Sequence, residues 1–156
     1  NASVGVNHAL AHAFGARFRV AHGRANAFML PHVMAYNAAV PTKFMPSPYQ
    51  QGYVAHKKYA TIADLLGLGG HTVEEKVKRL IATTEVLLDQ LGVPRSIAEL
   101  GISKREFEEA VPEMTKNAFD DPSWRSNPRM PLMTELAELF WKAYQGRGQA
   151  KVAGAA

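Results

Sequence analysis

The chain has 156 residues, 47% hydrophobic and 21% charged, with 18 Lys and Arg against 14 Asp and Glu for a formal net charge of +4. That is the length of one domain with enough apolar material for a core, which excludes disorder as the default reading. The absence of cysteine excludes disulfide staples and thiolate metal sites and points to a reducing, cytoplasmic location. Arg17, Arg19, Arg24, Lys43, Lys57 and Lys58 all precede the first acid, Asp64. They are scattered rather than grouped in a nucleic-acid module, and no apolar run reaches the roughly 20 residues of a membrane span. Neither nucleic acid nor membrane is expected as a partner.

Apolar residues recur at helical spacing almost everywhere and sustained alternation is missing, so the expected fold is all-α. A first helix is predicted from Ala2 to Phe14, apolar on nearly every side, with a connection from Gly15 to Ala21. A second is predicted from Gly23 to Asn37, kinked or interrupted at Pro31, which lacks a backbone donor. Three prolines make Pro41 to Gly52 a loop. A third helix, His56 to Leu66, presents Tyr59, Ile62, Ala63 and Leu66 on one face. The glycines of Gly67-Leu68-Gly69-Gly70 end it; they follow a helix and lack a downstream Lys-Ser/Thr, which argues against a phosphate loop.

Thr72-Val73-Glu74-Glu75 has the pattern of a capping box, opening a helix whose stripe runs Val73, Val77, Leu80, Ile81, Thr84, Leu88 and Leu91 until Gly92 and Pro94. A helical turn follows at Ser96 to Leu100. Ser103-Lys104-Arg105-Glu106 has the pattern of a second capping box and begins another helix, to about Ala118, which Pro112 bends or splits. Asp120 to Arg129 reads as a fixed loop anchored by Trp124, in which the adjacent Asp120 and Asp121 suit capping better than acid/base chemistry. In that loop Arg129 either braces two helices or meets a phosphate or acidic partner. The last helix runs from Leu132 to Tyr144. Domain limits are placed at 1–146, with a flexible tail over 147–156.

The chemistry-bearing feature is the trio His8, His12 and His22. His8 and His12 are four apart and leave one helical face, and a bend returns His22 toward it. Imidazoles suit Fe, Zn, Cu or Ni, but a catalytic metal takes three or four protein ligands, commonly including a carboxylate. No carboxylate precedes Asp64, so only half of a metal site is written here. One reading has His8 and His22 on a metal with His12 as a proton-relay neighbour; the other has three hydrogen-bonded structural histidines. A metalloprotease HExxH motif is excluded because Ala9 and Leu10 supply no glutamate base. His32, His56 and His71 lack comparable neighbours and read as structural or solvated.

The chain resembles the C-terminal helical domain of the iron-dependent (group III) alcohol dehydrogenases, and most of all the alcohol dehydrogenase half of the bifunctional aldehyde-alcohol dehydrogenases. The resemblance rests on His8-Ala-Leu-Ala-His12-Ala-Phe-Gly15, on His22-Gly23 with Ala25-Asn26-Ala27, and on Leu30-Pro31-His32-Val33. Pro41-Thr42-Lys43-Phe44, Lys58-Tyr59-Ala60-Thr61-Ile62-Ala63, Leu91-Gly92-Val93-Pro94, Ala118-Phe119-Asp120-Asp121 and Asn127-Pro128-Arg129 extend it to about Gly146. Asn7 stands where the family often has Cys, and Ala9 to Ala11 are smaller than usual.

The resemblance implies that His8 and His22 are metal ligands, with Fe2+ as the metal and Zn2+ as the alternative, and that His12 is the catalytic histidine beside the nicotinamide. It implies two further ligands, an Asp and a His, and an NAD site in an N-terminal dinucleotide-binding domain outside this sequence. The implied reaction interconverts a small primary alcohol and its aldehyde in a homo-oligomeric parent enzyme, this piece alone being inactive. Loss of the covering domain is expected to leave an apolar patch on the first helix. The contrasting hypothesis is a non-catalytic helical interaction module that keeps the enzyme scaffold.

Overall fold

Val6–Phe18 (α1), His22–Ala38 (α2), Ala55–Leu65 (α3), Val73–Gln90 (α4), Lys104–Asp120 (α5) and Met133–Gln145 (α6) are the α-helices among the described residues, 4–45 and 52–148 of a computed structural model. Short 3-10 turns at Ala98–Leu100 and Pro122–Ser126 complete the helical content, and no strand occurs among these residues. The all-α expectation is met.

Helix α1 lies against α2, α5 and the 122–126 turn, while α6 closes the bundle on α2 and α5. Its core is built from Leu10, Phe14, Met29, Phe107, Leu136 and Phe140, all essentially inaccessible to solvent. Phe107 holds three helices together: its ring stacks on Tyr144 at 4.5 Å, meets Trp141 edge-on at 5.3 Å and lies 6.1 Å from Phe18. Helices α3 and α4 form a hairpin that leans on α2 through a smaller cluster of Met34, Ala63 and Leu80.

Several sequence expectations are corrected. Helix α1 does not stop before Gly15; it continues to Phe18 and turns at Arg19, the one non-glycine residue at positive φ (54°) among those described. Gly15 serves close packing instead, since a Cβ there would sit 3.0 Å from the Val20 carbonyl oxygen and 3.6 Å from Ala25 Cβ. Neither internal proline breaks its helix: α2 runs through Pro31 and α5 through Pro112. Nor is the apolar side of α1 bare, because Val6, Ala9, Leu10, Ala11, Ala13 and Phe14 are all buried by this chain's own helices.

The Thr72 capping box forms as predicted, with Glu75 N–H donating to Thr72 Oγ1 at 3.1 Å and Thr72 N–H to Glu75 Oε2 at 3.3 Å, whereas the box expected at Ser103 forms one arm, Glu106 N–H donating to Ser103 Oγ at 3.2 Å. Trp124 anchors its loop by donating Nε1–H to the Phe119 carbonyl at 2.6 Å. Arg129 is a brace, giving one nitrogen to Glu135 at 2.7 Å and another to the Tyr36 carbonyl at 3.1 Å. The first residue of the expected tail is fixed: Arg147 is buried and donates to Asp89 at 2.9 Å and to the Val93 carbonyl at 2.8 Å. Positions 149–156 of that tail, 46–51 of the Pro41 to Gly52 loop and 1–3 of the first helix lie outside the described residues.

Candidate metal centre

His8 and His12 stand one turn apart on α1, and the Arg19 turn brings the chain back so that α2 begins at His22. The position of α1 itself is set by a residue far along the chain. Gly5 has no side chain with which to cap the helix, and Asn127 Oδ1 instead accepts the first helical N–H, that of Val6, at 3.3 Å. A Cβ on Gly5 would press to 2.8 Å from that oxygen. Asn127 is buried, accepts from Asn37 Nδ2 at 3.2 Å and donates to Asn37 Oδ1 at 2.8 Å, tying α1 to α2.

The three imidazoles gather as the spacing predicts. Ring centroids are 5.9 Å apart for His8 and His12, 5.3 Å for His8 and His22, and 5.2 Å for His12 and His22, the last pair nearly parallel at 27°. His8 is half-buried, while His12 and His22 open to solvent. Burial, then the neighbouring His22 and His12, lower the His8 pKa, with Asp121 acting weakly the other way. The neutral, ligand-ready form of His8 is thereby favoured.

Each of the other two rings has a polar partner. Asn26 Nδ2 lies 3.2 Å from His22 Nε2 and donates to the His22 carbonyl at 3.0 Å. Asn7 fixes that amide by donating to Asn26 Oδ1 at 2.8 Å. His12 Nδ1 lies 2.8 Å from Asp121 Oδ2, and the other carboxylate oxygen accepts the Ser123 N–H at 2.7 Å. Burial would raise the Asp121 pKa, but the hydrogen bonds from Ser123 and His12 outweigh it and lower the pKa.

Two tilted imidazoles on an open surface suit a borderline divalent metal as part of a ligand set. They do not complete one: among the described residues no group of three or more His, Cys, Asp or Glu side chains is arranged to hold a metal ion. The nearby carboxylate, Asp121, is engaged with His12. His32 is half-buried near α6, His56 stacks on Tyr53 at 6.1 Å and His71 is exposed, so none of them joins the trio. Sequence reasoning missed Asp121 as a site residue, and Asn7 and Asn26 with it. Asp121 is 109 positions from His12, a separation at which no helical spacing rule operates.

The sequence pattern of the Fe-containing alcohol dehydrogenase family, C-terminal, matches residues 1–144. The chain is 39% identical over 150 residues to the bifunctional aldehyde-alcohol dehydrogenase of Escherichia coli strain K12, covering 94% of this chain and 17% of that relative. It is 33% identical over 146 residues to an NADPH-dependent butanol dehydrogenase of Clostridium saccharobutylicum, covering 94% of this chain and 34% of that relative. A crystal structure of 1,3-propanediol oxidoreductase superposes with a TM-score of 0.71 at 31% identity, over 90% of this chain and 32% of that one. An iron-containing alcohol dehydrogenase from Thermococcus thioreducens gives a TM-score of 0.69 at 31% identity, over 92% and 32% of the two chains. The present chain thus spans between about a sixth and a third of the length of these proteins.

Proposed function

The chain belongs to the Fe-containing alcohol dehydrogenase family through its C-terminal domain, and on that premise we propose that it is the metal- and substrate-binding half of an NAD-linked enzyme interconverting a small primary alcohol and its aldehyde. The observation that carries this reading is the convergence of His8, His12 and His22, with centroids 5.2–5.9 Å apart, on a face that offers an incomplete ligand set. His8 and His22 are the two metal ligands. His12, placed beside both and hydrogen-bonded to a carboxylate, is the histidine that handles the alcohol proton next to the nicotinamide.

When bound, Fe2+ (or Zn2+) supplies Lewis acidity toward the substrate oxygen and the dinucleotide supplies the hydride acceptor. The chain's own residues hold and orient. Asn127 and Asn37 set α1 against α2, which fixes the separation of His8 from His22. Asn26, steadied by Asn7, controls the His22 ring. His12 accepts a proton from substrate and passes it to solvent, to which it is open. The remaining ligands and the dinucleotide site belong to an N-terminal domain, and the present chain is inactive without it.

Metal analysis and assay of the 156-residue chain, alone and joined to a complementary N-terminal domain, test the reading. The chain alone is expected to hold little iron and to show no alcohol oxidation. Stoichiometric iron and NAD-dependent ethanol oxidation by the chain alone would overturn the half-site. In the joined protein, His8→Ala and His22→Ala remove the metal. His12→Ala keeps the metal and lowers kcat by about 10²–10⁴-fold.

A further inference from the structure

Asp121 sits at the end of α5 and caps the 122–126 turn, and its carboxylate is divided between two partners. Oδ1 accepts the Ser123 N–H at 2.7 Å and Oδ2 faces His12 Nδ1 at 2.8 Å. The Asp121 side chain is only 17% exposed against 46% for His12, so the acid is the fixed member of the pair. Its loop is fastened at several points: Trp124 to the Phe119 carbonyl, Ser126 Oγ to the Val4 carbonyl, and Asn127 to the start of α1. A carboxylate held in this way is an acceptor at both oxygens, and the hydrogen it shares with a neutral imidazole must come from Nδ1. A neutral imidazole has a single N–H, which leaves the lone pair on Nε2. Packing adds to the restraint, because the His12 ring lies against His22 at 5.2 Å and edge-on to His8 at 5.9 Å.

We propose that Asp121 is a positioning residue that holds His12 in the Nδ1–H tautomer and so presents Nε2 as the ring's proton-accepting atom. This rests on the role given to His12 above and adds which nitrogen performs it. The loop geometry also predicts what Asp121→Asn does. The Ser123 N–H still needs an acceptor, so the amide oxygen stays on Ser123 and the amide NH2 turns toward His12 Nδ1. Two donors cannot share that contact, and the ring is driven into the Nε2–H tautomer.

The test is long-range 1H–15N correlation on the 15N-histidine-labelled 156-residue chain, metal-free, in alkaline buffer where imidazoles are neutral. Resonances are assigned by loss of the His12 signals in His12→Gln. The wild-type chain is expected to show a pyrrole-like Nδ1 and a pyridine-like Nε2. Asp121→Asn is expected to exchange the two, and Asp121→Ala to average them. A wild-type ring protonated on Nε2, a result that needs no variant, overturns the proposal. So does an Asp121→Asn chain that keeps the wild-type pattern. Activity separates this from the parent reading: a joined enzyme in which His12→Ala turns over normally sinks the role of His12, while the tautomer spectrum alone decides whether Asp121 holds the ring.

Discussion

Helices α1, α2, α5 and α6 enclose large side chains contributed from both ends of the chain, whereas α3 and α4 meet as neighbours in sequence and bury little. In the bundle, Phe14, Phe107 and Phe140 are sealed from solvent. In the hairpin the buried cluster is Met34, Ala63 and Leu80, while Leu65 is 82% and Leu91 68% exposed. Every residue of the histidine site, including Asp121, belongs to the bundle or to the loop fastened on it. The site is therefore carried by contacts between distant segments, which form and break with the whole bundle. The hairpin carries local structure that can open without disturbing the site.

The largest test of this contrast is Phe107→Ala, expected to cost about 3–5 kcal/mol for a buried aromatic. Chemical denaturation measures the loss, and histidine NMR shifts report dispersal of the trio. Leu80→Ala in the hairpin is expected to cost about 2 kcal/mol, the lower end for such a truncation, because the cluster around it is small and half-open. Equal costs, or equal effects on the histidine signals, would break the distinction.

Asn127→Ala is expected next, at about 2–3 kcal/mol, since it strips the first α1 N–H and the Asn37 amide of buried partners. Hydrogen exchange should quicken in the first turn of α1 and at His8 while the α4 amides keep their protection. Gly5→Ala should act in the same direction, because its Cβ would displace the Asn127 oxygen. A uniform rise in exchange across both regions would show that they open as one unit.

The parts legible in the sequence are those governed by short range. The Thr72 box, the glycine stops and the His8/His12 spacing are settled within one or two turns, and each appears in the structure. Gly15 is ambiguous in sequence because a helix-interior glycine marks a break and a close crossing equally well, and only the approach of Val20 and Ala25 decides between them. In the hairpin stripes, Val73, Leu66 and Leu91 keep helical spacing but remain exposed. Periodicity shows which face is apolar and not whether anything covers it. Asp121 and Asn127 shape the site through hydrogen bonds that span 109 and 121 positions, respectively. Their types and spacing in sequence said only that the loop was fixed.

Acid should distinguish the regions more gently. Burial, with Lys142 and Arg147 adding to it, lowers the His32 ring in the bundle from its ordinary 6.5 to about 4. Between those values the unfolded chain binds more protons, so the His32 contribution is complete above pH 6.5 and declines as pH falls toward about 4. Glu135 on α6 continues the trend. Burial opposes ionisation there, but hydrogen bonds from Lys43, Leu132, Arg129 and Tyr36 win and hold it at about 2, so its contribution fades below the ordinary 4.5. On α4 the signs divide: burial raises the Glu85 pKa, so its contribution is greatest in acid and is lost as pH rises through the folded value, while the Arg147 hydrogen bond lowers Asp89 and the His71 and Thr72 N–H groups lower Glu75, contributions that fade in acid. Hydrogen exchange with pH-corrected intrinsic rates is therefore expected to show protection of α1 and α6 falling on acidification faster than that of α4. The reverse order would undo the assignment of acid sensitivity to the bundle.

The smallest effect expected is Thr72→Ala, and it isolates the hairpin. The substitution removes the acceptor for the Glu75 N–H while leaving the Glu75 carboxylate on the His71 and Thr72 amides, so one of the two arms of the box survives. A loss of about 1 kcal/mol is expected, appearing as faster exchange in the first turn of α4. Because the helices that α4 chiefly lies against are α3 and α2, the His8, His12 and His22 resonances should not move. A shift in any of the three would mean that the hairpin helps set the spacing of the imidazoles, and the bundle alone would no longer account for the site.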